Sequence, residues 1–154
     1  AAQSYNPSMK IHGVKAALTI ERVKLEDGFT TLCFEAALAL NNGSRRFDWQ
    51  NKLIFRFTRS EMFNYLAVLN KVGNRAEFSN HGASNTKSLL MEWQGDKLFV
   101  SVRDVQQAPR AVPVSAADAF LLCMFSMDAF QSNYPRLDSV QIVNTLYAYG
   151  RNGK

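Results

Sequence analysis

Apolar and polar positions alternate from Phe47 to Phe57: Phe47, Trp49, Asn51, Leu53, Phe55 and Phe57 against Asp48, Gln50, Lys52, Ile54 and Arg56. A period of two predicts a half-buried strand with one apolar face and one basic face, the latter led in by Arg46. On that parity Trp49 belongs to the interior. Thr58-Arg59-Ser60-Glu61 then fits a capping box, in which the Thr58 hydroxyl accepts from the amide of Glu61 and the Glu61 carboxylate accepts from the amide of Thr58. The helix that follows is expected over about 59–71, with Met62, Phe63, Leu66, Leu69 and Val72 as its apolar stripe and Gly73 as its stop.

Two more strands precede this unit. Over 15–25, Ala16, Leu18 and Ile20 alternate with Lys15, Ala17, Thr19 and Glu21; over 29–40, Leu32, Phe34, Ala36, Leu38 and Leu40 alternate with Thr31, Cys33 and Glu35. Glu26-Asp27-Gly28 and Asn41-Asn42-Gly43-Ser44 supply the turns, so three strands form an antiparallel meander. Residues 1–10 read as a polar, flexible lead. Beyond the helix, 75–78 is a short strand and 80–85 a polar loop. Residues 87–94 and 97–104 are expected to form a hairpin around Gly95-Asp96. A two-residue turn there pairs Gln94 with Lys97, Trp93 with Leu98 and Met91 with Val100. That register puts Leu89, Met91, Trp93, Leu98, Val100 and Val102 on the core side. Ser88, Leu90, Glu92, Gln94, Lys97, Phe99, Ser101 and Arg103 fall on the other side.

Val112-Pro113-Val114-Ser115 repeats the strand-to-helix device, with Ser115 as N-cap and Asp118 three residues on. The second helix, over about 116–131, is apolar nearly all round through Phe120, Leu121, Leu122, Met124, Phe125, Met127 and Phe130. It is therefore expected to be buried against its own sheet and a neighbouring subunit. A third amphipathic segment spans 138–149 and leads into a basic tail. Strands, helix, strands, helix is an α+β order of two related halves.

Composition narrows the classes. The 154 residues fit one domain, and 47% apolar content argues against disorder. No apolar run approaches a membrane span, and no signal or transit segment opens the sequence. Cys33 and Cys123 lie in apolar stretches and read as free thiols. That favours a reducing intracellular compartment, whether a bacterial or phage-host cytoplasm, a mitochondrion or a plastid. Eighteen Lys and Arg against 13 acids give a net charge of +5, which suits a polyanionic partner. His12 and His81 stand at no metal-ligand spacing from a cysteine, and no nucleophile motif or Gly-rich phosphate loop is present. No enzyme, cofactor or metal is expected.

Several of these segments resemble the Whirly family. Gly13-Val14-Lys15-Ala16-Ala17-Leu18 is similar to its Lys-Gly-Lys-Ala-Ala-Leu motif, although the first Lys is not matched. Phe47-Asp48-Trp49-Gln50-Asn51-Lys52 resembles its Tyr-Asp-Trp-x-x-Lys segment. The cap at Thr58, Lys87-Ser88-Leu89 and Val112-Pro113-Val114 with the Ala/Phe-rich helix recur in the same order. The resemblance covers roughly 11–137. The loop after the first helix is shorter than in the plant proteins, and the segment 138–154 is an extension beyond it. What it implies is a Whirly/PC4-like fold of two antiparallel four-stranded sheets, each followed by a helix. It also implies a homotetramer that binds single-stranded DNA in repair, recombination or transcription. RNA binding, as in an RNA chaperone, and a pure protein-interaction module remain the alternatives.

The candidate nucleic-acid-binding residues are Lys15, Arg46, Gln50, Lys52, Arg56, Lys87, Lys97, Phe99, Ser101 and Arg103. Lys15 and Lys87 enter through the family motifs. Lys52 and Arg56, on one face of a strand, project together at roughly the phosphate repeat of an extended strand. Phe99, flanked along its strand by Lys97, Ser101 and Arg103, suits stacking, since every base has a π-face.

Overall fold

The computed structural model describes residues 8–150. In chain order they form β1 (Ser8–His12), β2 (Ala16–Lys24), β3 (Thr30–Leu38), a 3-10 turn (Trp49–Asn51), β4 (Leu53–Arg56), α1 (Glu61–Leu69) and β5 (Arg75–His81). Then come β6 (Lys87–Gln94), β7 (Lys97–Asp104), β8 (Arg110–Val114), α2 (Ala116–Gln131) and α3 (Ser139–Gly150). Two antiparallel four-stranded sheets result, ordered β1-β2-β3-β4 and β5-β6-β7-β8, and a helix follows each. The α+β architecture expected from the sequence is the one observed.

Alternation and turn length pin the registers. Gln94 pairs with Lys97, Trp93 with Leu98 and Met91 with Val100, as the two-residue turn requires, and Gly95 takes φ 66°. In the first sheet Leu18 lies opposite Ala36 and Ile20 opposite Phe34, all buried. The capping box forms as expected: Thr58 N–H donates to Glu61 Oε1 at 2.9 Å, and Glu61 N–H donates to Thr58 Oγ1 at 3.4 Å. At α2 the Ser115 hydroxyl accepts from Asp118 N–H at 3.2 Å.

Four expectations need correction. Ser8–His12 is a strand paired with β2, so residues 8–10 belong to the fold and not to a flexible lead. Residues 1–7 of that lead and the basic tail 151–154 lie outside the described residues. The β5 strand extends to His81, where a polar loop was expected; a bulge between Phe78 and His81 accommodates the extra length. Helix α1 ends at Leu69 through a Schellman-type cap with Lys71 in the left-handed region (φ 61°). Val72 N–H donates to Ala67 O at 2.9 Å and Lys71 N–H to Val68 O at 3.0 Å, so Gly73 is not the stop.

The last correction matters most. Ala39 pairs with Phe47, yet Ala36 pairs with Leu53. While β3 moves three residues, from 36 to 39, the returning chain spends six, from 47 to 53. Three residues are thus looped out, and the 3-10 turn contains them. An odd insertion exchanges the faces of a strand. Leu53, Phe55 and Phe57 face inward, whereas Phe47 lies on the outer face with Ala39.

The inner faces of both sheets, α1 and α2 share one core. Phe57 sits at its centre, with ring centroids 5.5 Å from Phe34, 5.2 Å from Phe55, 4.6 Å from Tyr65 and 5.1 Å from Phe78. The Tyr65 hydroxyl reaches Ser126 Oγ at 2.7 Å inside this core. Helix α2 buries Ala119, Leu122, Cys123, Ser126, Met127 and Ala129. Its other side leaves Phe120, Leu121 and Met124 exposed at 62%, 53% and 49%, so the described residues cover only one side of this apolar helix. Helix α3 contributes Ile142 and Leu146 to the core, which makes the C-terminal extension part of the packed fold.

Candidate nucleic-acid interface

The outer face of the first sheet is built from cross-strand rows. Lys10, Thr19, Glu35 and Ile54 form one row; Ser8, Glu21, Cys33 and Arg56 form the next. The 3-10 turn lays its aromatic residue over the same face. The Lys10 ammonium lies 5.5 Å from the centroid of the Trp49 ring, and the His12 and Phe47 rings are 5.5 Å apart. Asp48 closes the turn, accepting from Asn51 Nδ2 at 2.9 Å. Lys52 leaves the turn and pairs with Glu35 at 2.9 Å. Lys15 in the β1–β2 turn, together with Arg45 and Arg46, adds exposed cations at the same end, where Lys15 O accepts from Ala39 N–H and Arg46 O from Leu40 N–H.

Nine of the ten sequence-derived candidates separate into two groups, and the tenth, Lys87, lies between them. Lys15, Arg46, Gln50, Lys52 and Arg56 lie on or beside the outer face of the first sheet. Lys97, Phe99, Ser101 and Arg103 lie on the outer face of the second, which looks away across the shared core. There Phe99 is flanked across the sheet by Glu92 and Pro113, not by cations, and Glu92 is engaged by Arg75 at 3.6 Å. Ser101 is fully buried, with Arg103 Nε donating to its hydroxyl at 3.4 Å, so it presents no surface to a ligand. Lys87 sits at the junction of the sheets and donates to Ile54 O at 3.2 Å, capping the open edge of β4.

Four residues on this face escaped the sequence reading: Lys10, His12, Phe47 and Trp49. The first two fell in the presumed lead or at its margin, and the aromatics were assigned to the core by unbroken parity. A signal was present in Asp48-Trp49-Gln50-Asn51, since Asp and Asn at these positions favour a turn by bonding to nearby backbone and to each other. Trp93, by contrast, packs inward: its Nε1–H donates to Val68 O at 2.7 Å and Lys71 lies 4.5 Å above its ring.

Cations beside half-covered aromatic rings can hold a polyanion that carries planar groups. Nucleophilic chemistry is not favoured at the neighbouring thiol: burial, then the Glu35 and Glu21 carboxylates, push Cys33 up to about 11, so it stays protonated at neutral pH. His81 is engaged elsewhere, stacked on Phe55 at 3.9 Å and joined to Glu61 Oε2 at 2.8 Å. Among the described residues no three His, Cys, Asp or Glu side chains converge as a metal site, and no helix is long and apolar enough to cross a membrane.

No protein-family model matches the chain, and no curated protein matches it by sequence. Solved structures do. WHY1 from Arabidopsis thaliana superposes with a TM-score of 0.62 at 20% identity, over 85% of this chain and 86% of that one. The chain has the Whirly fold. WHY3 from Arabidopsis thaliana matches with a TM-score of 0.58 at 23% identity, covering 84% and 89%. The plant transcriptional regulator PBF-2 matches with a TM-score of 0.61 at 20% identity, covering 84% and 91%.

Proposed function

We propose that this protein binds single-stranded nucleic acid, DNA before RNA, along the outer face of its first sheet. The observation that carries the reading is the three-residue insertion, which places Trp49 beside Lys10 on a face that also holds Lys52 and Arg56. Bases stack on Trp49 and Phe47, while Lys10, Lys15, Arg46, Lys52 and Arg56 hold phosphates and Gln50 offers an amide at the turn. Duplex is disfavoured because its bases already stack on one another. Binding is sequence-tolerant, since ring faces and phosphates are common to all nucleotides, and it suits a role in coating exposed strands. Repair, recombination and transcription are the settings in which such strands arise; the fold shared with a plant transcriptional regulator supports the last.

The working unit is proposed to be a homotetramer joined through the exposed apolar side of α2. In such an assembly Lys97, Phe99 and Arg103 of one copy extend the path on another. Competition binding with matched single-stranded DNA, RNA and duplex, repeated at rising salt, tests the function. The expected result is preference for single strands with affinity falling steeply as salt rises. Equal binding to duplex, or affinity independent of salt, contradicts it. RNA winning over DNA instead selects the RNA-binding alternative.

A further inference from the structure

We propose that Arg110 is a positioning residue that holds Trp49 on the binding face. Arg110 opens β8 in the second sheet, yet its guanidinium crosses to the first. One terminal nitrogen donates to Ala108 O, in the loop before β8, and the other donates to Asn51 O at 3.0 Å. Asn51 is the last residue of the 3-10 turn that begins with Trp49. The side chain of Arg110 is therefore the polar tie between the second sheet and the insertion that reverses the faces of the first.

The environment of this guanidinium argues that the tie has a purpose. Arg110 is only 4% exposed, and its Nε has no hydrogen-bond partner. Among the described residues no carboxylate pairs with it. A buried cation without a counter-charge is costly, and an apolar residue would fill the same inner position of β8 more favourably. What an apolar side chain lacks is the planar fork that serves two carbonyls at once; a lysine ammonium matches that geometry poorly. Asn51 O is free to accept from this fork because the looped-out turn lies outside the β3–β4 ladder. Without it the turn stays tied to β3 only at its start, where Asp48 N–H donates to Leu38 O at 2.8 Å, its far end keeps the Asp48–Asn51 bonds alone, and Trp49 loses its fixed height over Lys10.

This inference rests on the proposed binding face, and its test separates the two. Trp49 and Trp93 are the only tryptophans in the sequence, so 5-fluorotryptophan labelling yields two fluorine resonances, assigned with Trp49→Phe. In the free protein, Arg110→Met and Arg110→Lys should shift and broaden the Trp49 resonance while that of Trp93, packed against α1, stays in place. Affinity for an oligo-dT strand should fall with Arg110→Met about as far as with Trp49→Ala, on the order of 5- to 150-fold for one lost stacking contact. Arg110→Lys should lie between. The double variant Arg110→Met, Trp49→Ala should bind no worse than Trp49→Ala alone, because both changes remove the same contact.

A Trp49 resonance unchanged in the folded variants overturns the proposal, as do losses that multiply in the double variant. If Arg110→Met does not fold, Arg110→Lys decides by the same readouts. A wild-type chain that ignores oligo-dT overturns the binding face, and the fluorine spectra still decide whether Arg110 fixes the turn.

Discussion

Glu35 stands in the middle of the proposed path, so neutralising it should strengthen binding. Its carboxylate pairs with Lys52 at 2.9 Å, and the two side chains are 18% and 33% exposed. A phosphate held by Lys52 would come within about 7 Å of that carboxylate. At this separation the repulsion is about 0.6 kcal/mol in bulk water and about 2.4 kcal/mol at an effective dielectric of about 20. The site is partly covered, which places the effect near 1 kcal/mol, or about fivefold in affinity. Glu35→Gln keeps an oxygen for Lys52 to donate to while removing the charge. Anisotropy titrations of labelled oligo-dT at several salt concentrations should show about fivefold tighter binding at low salt. The slope of log K against log salt should steepen by about 0.7, as one more cation becomes free to displace counterions from a single strand. Glu26→Gln, exposed in the turn between β2 and β3, is the control and should change neither quantity. Weaker or unchanged binding by Glu35→Gln would refute the placement of the phosphate path.

Other expectations concern the frame of the site. Tyr65→Phe strands the buried Ser126 hydroxyl and should cost about 1–3 kcal/mol in urea denaturation, most of which Ser126→Ala added to it should recover. On α2, Leu121→Asp should abolish the proposed association in sedimentation while leaving the fold intact, whereas Leu122→Asp, fully buried, should unfold the chain. Cys33 has a raised folded-state pKa, so its contribution to stability is complete below the ordinary value of 9.0 and is lost as pH climbs to about 11. The unfolding free energy of wild type should accordingly fall across that window more than that of Cys33→Ala.

What the sequence disclosed, and what it withheld, follows from the range of the forces involved. The β6–β7 register was readable because a two-residue turn and strict alternation over 87–104 leave one pairing with both apolar faces on the same side. The capping boxes were readable because they are closed by residues three apart. The reversal at Trp49 was not, since its turn is held in part by Arg110, 59 positions beyond Asn51, and local alternation ran on as though the strand were unbroken. β1 was missed for a related reason. Met9 and Ile11 are two apolar residues in a five-residue strand, too short a pattern to announce itself without the partner strand. Lys71 in the left-handed region replaced the expected glycine stop because the Val72 and Lys71 amides find the carbonyls of Ala67 and Val68 one turn earlier.

Trp49, and not an aromatic on the opposite sheet, is proposed to carry stacking. This is tested most directly by titrating one oligo-dT strand against wild type, Trp49→Ala and Phe99→Ala under identical salt. Trp49→Ala should lose about 1–3 kcal/mol of binding while melting close to wild type, because the ring lies on the outer face and is only half-buried. Phe99→Ala, set between Glu92 and Pro113, should lose less. Wild-type affinity in folded Trp49→Ala, with the loss appearing in Phe99→Ala instead, would move the binding face to the second sheet.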